Sequence, residues 1–185
     1  MRSIFVLALL AFSLASQAQT SKGNFLLGGS VTFNSAKEKV TFEGSSETSQ
    51  ATTTLGFTPN AGYFIMDNLA VGGSLTLLSV NEKESDSKTS TFLFAPFVRY
   101  YFLSLGENVK FMGQGSFGIG SLSFDGESQS INSWAVNAGP AIFLNSNTAL
   151  EITLGYNSTG YKEEGAKLRT NSIGFNVGFQ IHLGK

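Results

Sequence analysis

The chain of 185 residues contains no cysteine, one histidine and only three prolines. Without cysteine it can form no disulfide framework and offers no lipoprotein acylation site. One histidine and no thiol leave too few ligands for a metal site built on nitrogen and sulfur. The formal net charge of −1 provides no basic footprint for nucleic acid, so we expect no nucleic-acid partner.

Long apolar runs are also scarce, and the single one lies at the N-terminus. Ile4–Leu14 is apolar, follows a basic residue and precedes the small residues Ser16 and Ala18. A membrane-spanning helix needs about 20 apolar residues, so this block is too short to act as an anchor. Its features are typical of a signal peptide with an A-x-A-like exit. We therefore predict export, with residues 1–18 removed and residues 19–185 forming one mature domain.

The rest of the chain is rich in alternation, as in Leu69–Leu77, and it contains 17 Phe and 21 Gly. Strict alternation of apolar and polar residues predicts strands with one apolar and one polar face. Glycine usually weakens a strand, so this many glycines need a structural reason. A narrow barrel lumen, with little room for side chains, supplies that reason.

Eight strand-length segments are separated alternately by long and short connections. The predicted strands are Phe25–Asn34, Thr53–Ile65, Leu69–Val80, Thr91–Phe102, Val109–Ser123, Asn132–Leu144, Ala149–Asn157 and Asn171–Leu183. The long connections are Ser35–Thr52, Asn81–Ser90, Phe124–Ile131 and Ser158–Thr170, and the short ones are Met66–Asn68, Ser104–Asn108 and Asn145–Asn147. This order predicts an all-β fold, an eight-stranded antiparallel up-and-down transmembrane β-barrel with short turns and both termini on the periplasmic side.

The polar faces decide between a transmembrane barrel and a soluble one such as a lipocalin. A soluble barrel needs charges on its outer face, whereas most charges here fall in the long connections. The predicted polar faces are Ser74, Thr76, Gln114, Ser116, Asn137, Thr153, Asn176 and Gln180. We assign them to the lumen. The residues expected to face lipid are Leu55, Phe57, Val71, Leu75, Phe92, Phe94, Phe111, Phe117, Ile152, Leu154, Phe175, Val177, Phe179 and Ile181.

Aromatic residues and prolines add two expectations. Tyr63, Tyr100 and Phe102 share the apolar register near short turns, and Trp134 and Tyr156 lie near the opposite strand ends, where interfacial girdles belong. All three prolines fall inside predicted strands, several residues before a short turn. Because proline removes a ladder hydrogen bond, we expect a bulge or a ladder gap that recurs in each of these hairpins.

Two charged residues are predicted to meet inside the barrel. Arg99 points opposite to its apolar neighbours a few residues before one short turn, and Glu151 does so a few residues after another. Both should therefore enter the lumen at a similar height near the periplasmic end. An unpaired buried charge is costly, so we predict an Arg99–Glu151 pair with a structural role. The predicted lumen network also includes Lys110, Gln114, Asn137 and Gln180.

Two other patterns carry no catalytic or cofactor prediction. Gly113-x-Gly115-x-x-Gly118 matches a dinucleotide-binding pattern by letter, but alternation continues through it and no helix follows. We interpret these as strand glycines and expect no cofactor. His182, near the periplasmic end of the last strand, is interpreted as a polar lumen or rim residue. We predict no catalytic residue and no metal site.

Three segments, Gly62–Gly72, Pro96–Phe102 and Ala149–Tyr156, resemble the small outer-membrane β-barrel domain family of Gram-negative bacteria. These porin-like proteins are related in architecture to the eight-stranded OmpX and OmpA barrels. The resemblance implies an integral protein of the cell outer membrane, surrounded by outer-membrane lipid and inserted by the barrel assembly machinery. This chain departs from the family pattern in ending without a terminal aromatic residue.

The sequence predicts location and architecture more directly than activity. We expect a non-enzymatic, monomeric outer-membrane protein with a structural or surface-interaction role, whose long loops are available to an extracellular ligand. The alternative is a porin-like conduit for small or apolar molecules. Because eight strands enclose an interior just wide enough for side chains, a large aqueous channel is not expected.

Overall fold

A computed structural model describes residues 19–42, 45–82, 88–124, 127–163 and 166–184. Eight β-strands account for nearly all of them. They are β1 (Phe25–Phe42), β2 (Ser45–Met66), β3 (Leu69–Glu82), β4 (Lys88–Leu105), β5 (Val109–Phe124), β6 (Glu127–Phe143), β7 (Thr148–Glu163) and β8 (Ala166–Leu183). Each strand pairs antiparallel with its neighbours, and β8 pairs with β1 to close the barrel. The predicted all-β, eight-stranded antiparallel barrel is confirmed.

The two faces of the wall differ as the alternation predicts. Twelve of the fourteen residues expected to face lipid are strongly exposed on the outside, between 39% for Ile152 and 80% for Phe175. The other two, Val71 and Phe111, are partly covered. All eight predicted polar-face residues line the interior cavity. Among the described residues, no helix is long and apolar enough to cross a membrane.

Three tight turns define one end of the barrel, here called the short-turn end. They comprise residues 67–68, 106–108 and 144–147, close to the predicted positions. Asn68 and Gly106 both have φ of 65°, in the left-handed region that Asn and Gly tolerate better than other residues. Tyr63, Tyr100 and Phe102 are exposed on the outer wall near this end.

The opposite end, called the long-hairpin end, corrects the sequence prediction. The four predicted long loops are largely strand, because β1 continues to Phe42 and β2 already begins at Ser45. The described residues of the predicted loops at Asn81–Ser90, Phe124–Ile131 and Ser158–Thr170 likewise belong to strands. Apolar and polar residues need to alternate only where one face of a strand contacts lipid. Beyond the membrane, the backbone hydrogen bonds between the two strands of a hairpin can continue without that alternation.

Each proline produces a gap in one ladder, as expected. Between β2 and β3 the ladder runs to Phe57↔Leu77 and resumes at Asn60↔Ser74, omitting Pro59. Equivalent gaps omit Pro96 between β4 and β5 and Pro140 between β6 and β7. The register is the same on both sides of every gap. The prolines therefore interrupt hydrogen bonding toward the strand that follows, and they insert no bulge.

The barrel closes along a short seam. β1 and β8 form six ladder pairs, from Phe25↔Leu183 to Ser30↔Gly178, whereas every other neighbouring pair of strands forms at least eleven among the described residues. On β8, Ile173 and Phe175 lie beyond the last seam pair and are 73% and 80% exposed. The wall is thus most weakly paired in the half of the seam that is closer to the long-hairpin end.

Candidate functional site

The lumen contains a cavity of about 340 Å³. All eight strands contribute to its lining, mostly with glycine and with short polar side chains such as Ser74, Thr76 and Asn137. Inward positions of a narrow barrel leave little volume for side chains, which accounts for the small residues there. Arg99, Gln114 and Glu151 line the part of the cavity nearest the short-turn end.

An ion pair crosses the lumen between β4 and β7. Arg99 Nη1 donates to Glu151 Oε1 at 2.8 Å, and the two side chains are only 4% and 6% exposed. Arg99 Nε also donates to Gln114 Oε1 at 2.8 Å, and the Tyr101 hydroxyl lies 3.3 Å from Glu151 Oε1. The two predicted partners are thus in direct contact, with a neutral hydrogen-bonding group beside each charge.

The other three residues of the predicted network lie in different places. Gln180 is 2% exposed and adjoins the Glu151 carboxylate. Lys110 is buried, but the hydrogen bond described for its Nζ goes to Thr20 Oγ1 at 2.7 Å, so it joins the N-terminal segment instead. Asn137 lies deeper in the cavity, where its Oδ1 accepts from Asn176 Nδ2 at 3.4 Å. The structure therefore groups Arg99, Glu151, Gln114 and Gln180, and separates Lys110 and Asn137 from them.

A layer of large side chains, called the aromatic layer, fills the lumen on the short-turn side of the ion pair. Its main members are Phe64, Tyr101, Phe143 and His182, and Phe97, which precedes Arg99 on β4, packs beside them; each is between 0% and 4% exposed. The ring of His182 lies 5.0 Å from that of Phe143 and 5.9 Å from that of Phe64, centroid to centroid. On the short-turn side of the ion pair, these side chains fill the space that the cavity occupies on the other side.

Glycines make room for the aromatic layer. A Cβ placed on Gly72 would lie 2.5 Å from Cζ of Phe97, closer than real contacts allow, and one on Gly62 would lie 3.2 Å from the same atom. The Phe97 ring therefore packs directly on the backbone of β2 and β3. The Cζ atom of Arg99 lies 5.6 Å from the centroid of the Phe97 ring, a cation–π distance.

The N-terminal segment, residues 19–24, covers the short-turn end from outside. Gly23 N donates to Phe64 O at 2.9 Å, and Phe64 N donates to Asn24 O at 2.9 Å. Thr20 is 1% exposed and its Oγ1 donates to Asn68 Oδ1 at 2.6 Å while accepting from Lys110. The segment is thus bonded to the barrel through both backbone and side chains.

A family model of the outer membrane protein beta-barrel domain matches residues 4–180, nearly the whole chain. The protein belongs to this family. Membership places it in the outer membrane as a β-barrel protein. Export by a signal peptide stays a prediction, because residues 1–18 lie outside the described part of the chain.

Solved structures of similar architecture are distant in sequence. OprG from Pseudomonas aeruginosa is 14% identical, with 90% of this chain and 99% of that chain covered and a TM-score of 0.48. The outer-membrane expressed OmpT of Vibrio cholerae is 12% identical, with 86% and 52% covered and a TM-score of 0.42. AlkL, solved in DMPC bilayers, is 15% identical, with 89% of each chain covered and a TM-score of 0.38. Similarity at this level carries no information on substrate. A search of curated proteins gave no match.

In this outer-membrane barrel, His182 is the residue most easily mistaken for a catalytic group. It is 1% exposed, and its Nε2 lies 3.2 Å from the Tyr101 hydroxyl. Its location agrees with the interpretation as a polar lumen residue. Within the described residues, no three His, Cys, Asp or Glu side chains come together as metal ligands would. Gly113, Gly115 and Gly118 all lie within strand β5, so they do not lead into a helix as the glycines of a dinucleotide-binding motif do.

Neither the aromatic layer nor the contacts of the N-terminal segment could be predicted in full from the sequence. A signal existed for part of the layer, because Phe97 and Tyr101 alternate with Arg99 and must share its inward face. No comparable signal existed for Thr20, which precedes β1 and follows no periodic pattern. Its position depends on contacts with the finished barrel.

Proposed function

We propose that this protein is a non-enzymatic outer-membrane barrel with a plugged lumen, serving a structural role or binding a partner through its long hairpins. The observation that supports this most is the closure of the short-turn end. A continuous channel would have to pass the buried Arg99–Glu151 pair, the aromatic layer and the N-terminal segment in turn. Eight strands leave too little interior for a wide path around such groups.

The position of His182 supports the non-enzymatic assignment. A general base or nucleophile must be within hydrogen-bonding reach of its substrate. His182 is enclosed by the rings of Phe64, Tyr101 and Phe143, and a lipid or peptide substrate on the outer surface would not reach it. Its surroundings are those of a core side chain.

The second candidate is a conduit for small molecules, and the cavity of about 340 Å³ favours it. The cavity is lined by small polar groups that a hydrated solute could contact. Transport would require the aromatic layer to move or the solute to leave by another path. We propose the plugged barrel as the better-supported function because the large side chains of that layer are each at most 4% exposed.

Planar-bilayer recording distinguishes the two candidates. The wild-type barrel should show no steady open steps, and stable large steps would overturn the plugged-barrel proposal in favour of a conduit. The variant Phe143→Ala opens the aromatic layer and should produce conductance that the wild type lacks. Phe175→Ala, which removes the same ring from the outer wall, should behave as the wild type.

The surface role needs a cellular test. The β1–β2 hairpin extends to Phe42 and Ser45, so the long-hairpin end offers paired strands to the exterior if the short turns face the periplasm. A deletion strain should be scored for permeability, envelope integrity and adhesion together. Loss of adhesion or envelope integrity with unchanged permeability is expected. A selective permeability defect would contradict the proposal.

A further inference from the structure

The outer wall carries a polar, basic cluster at the long-hairpin end of β6, β7 and β8, on the side opposite to the lumen. Arg169 of β8 is the ladder partner of Gly160 on β7. Its Nη1 donates to Ser158 Oγ at 2.9 Å and its Nη2 donates to Asn132 Oδ1 at 3.1 Å. Ser158 is only 1% exposed and also donates to Asn171 Oδ1 at 2.7 Å.

The guanidinium of Arg169 is held in place but retains free donors. A Cβ on Gly160 would come within 3.2 Å of Nη2, so the lack of a side chain there lets the guanidinium lie close to the strand. Two of its five N–H groups bond to Ser158 and Asn132, which leaves three for a ligand. Arg169 itself is exposed. A fixed, exposed guanidinium suits a phosphate or carboxylate oxygen.

Arg169 carries the positive charge that the described contacts hold on this face. No acidic residue occupies an outward register position on the described lengths of β6, β7 or β8. An anion at this wall would therefore meet the Arg169 guanidinium with no acidic ladder position beside it.

From Arg169 toward the short-turn end, the side chains on the outer wall change from polar to aromatic and then to aliphatic and aromatic apolar residues. Trp134 and Tyr156 follow next, with ring centroids 5.3 Å apart, as expected at a membrane interface. Ile173 is the ladder partner of Tyr156 and Phe175 lies two positions further along β8, and these side chains are 73% and 80% exposed. From Arg169 to Phe175 the wall spans six residue steps, or roughly 20 Å at about 3.3 Å per residue. With a strand tilt of about 40°, this is roughly 15 Å along the membrane normal, so the basic, aromatic and apolar zones follow one another over most of one leaflet.

We propose that this wall binds a phosphate-bearing lipid of the leaflet at the long-hairpin end. The headgroup phosphate bonds to the Arg169 guanidinium, and an acyl chain lies over Ile173 and Phe175. The order of the zones matches the order of groups in such a lipid. A free phosphate would use only the basic zone and would gain nothing from the exposed apolar surface, so the lipid is the better fit.

Binding can be measured with the full-length barrel refolded in a zwitterionic detergent. The probe is diphosphorylated lipid A, and the readout is native mass spectrometry together with the fluorescence of Trp134, the single tryptophan. Arg169→Gln should weaken binding about tenfold, because it removes both the positive charge and the guanidinium donors that the phosphate would use. The matched control Lys22→Gln removes one charge at the opposite end and should leave affinity unchanged.

Two further arms identify the source of the phosphate. Dephosphorylated lipid A should bind more weakly than the phosphorylated form and should not respond to Arg169→Gln. Millimolar inorganic phosphate should fail to displace the lipid. Equal affinities for Arg169→Gln and Lys22→Gln, equal affinities for both lipids, or displacement by inorganic phosphate would each overturn the proposal. Arg169 lies on the surface, and unchanged heat-modified gel mobility confirms that its variant is folded.

Discussion

The buried Arg99–Glu151 pair makes a quantitative prediction about the stability of the barrel. Arg99→Ala would leave the Glu151 carboxylate with only the Tyr101 hydroxyl and the neighbouring Gln180, in a site where Glu151 is 5% exposed. Removing one partner of a buried pair typically costs about 3–5 kcal/mol, because the other charge stays buried and uncompensated. The cavity borders this pair, so water can reduce the cost toward the lower value.

A double-mutant cycle separates the pair from its surroundings. Arg99→Ala and Glu151→Ala should each lower the free energy of unfolding, and the double variant should cost less than the sum by at least about 1 kcal/mol. Urea unfolding in vesicles, under conditions where refolding is reversible, gives these values. Trp134 is exposed on the outer wall, so its fluorescence reports loss of the folded barrel.

The control for coupling is a lumen residue with other partners. Asn157 donates to Ser133 and accepts from Thr159 nearer the long-hairpin end, and no described bond joins it to Arg99. Asn157→Ala combined with Arg99→Ala should therefore be additive. If Arg99→Ala and Glu151→Ala were equally additive, the pair would contribute no coupling and the reasoning would be wrong. The barrel assignment would be unaffected.

Three further predictions concern packing, the N-terminal segment and the seam. Gly72→Ala should lower the free energy of unfolding by at least about 1–3 kcal/mol in urea titrations because its Cβ would collide with the backbone carbonyl oxygen of Ala61 and with the Phe97 ring. Gly115→Ala, with nothing within 4 Å of its Cβ, should have little effect. Thr20→Val removes the acceptor of the buried lysine and should speed tryptic cleavage within the N-terminal segment, compared with the wild type in the same micelles. Amide hydrogen exchange should be fastest among membrane-embedded strands at Ile173–Val177, on the unpaired side of the seam; uniform protection along β8 would contradict this.

The fold could be predicted because lipid imposes a strong pattern. Each residue that contacts lipid must be apolar, so alternation identifies the strands and their outward faces, as for Phe92 and Phe94. The ends of the strands could not be predicted in the same way. Outside the membrane both faces of a hairpin are in water, and the segment from Ser35 to Phe42 pairs with β2 although its apolar alternation is confined to Val40 and Phe42.

The candidate site could be predicted only where two features were enough: which side of the strand a residue faces, and how far it lies from the short turn. Arg99 and Glu151 enter the lumen from strands whose turns fix their heights, so their meeting follows from local sequence. Lys110 satisfies the same criteria but bonds to Thr20, because the N-terminal segment brings a closer acceptor. The N-terminal segment has no periodic pattern, so its position is known only from the folded structure. Its contact with Lys110 explains why this residue does not bond within the network that strand alternation predicted for it.

The lumen has two halves with opposite packing, and this explains why the ion pair lies where it does. Toward the long-hairpin end, small polar residues such as Ser74 and Asn137 leave a cavity that water can enter. Toward the short-turn end, Phe64 and Phe143 fill the cross-section and exclude water. Charges within the filled half would be fully desolvated, and charges in the open half would be screened. At the boundary, Arg99 keeps hydrogen-bonding partners on its cavity side while the aromatic layer limits solvent on the other.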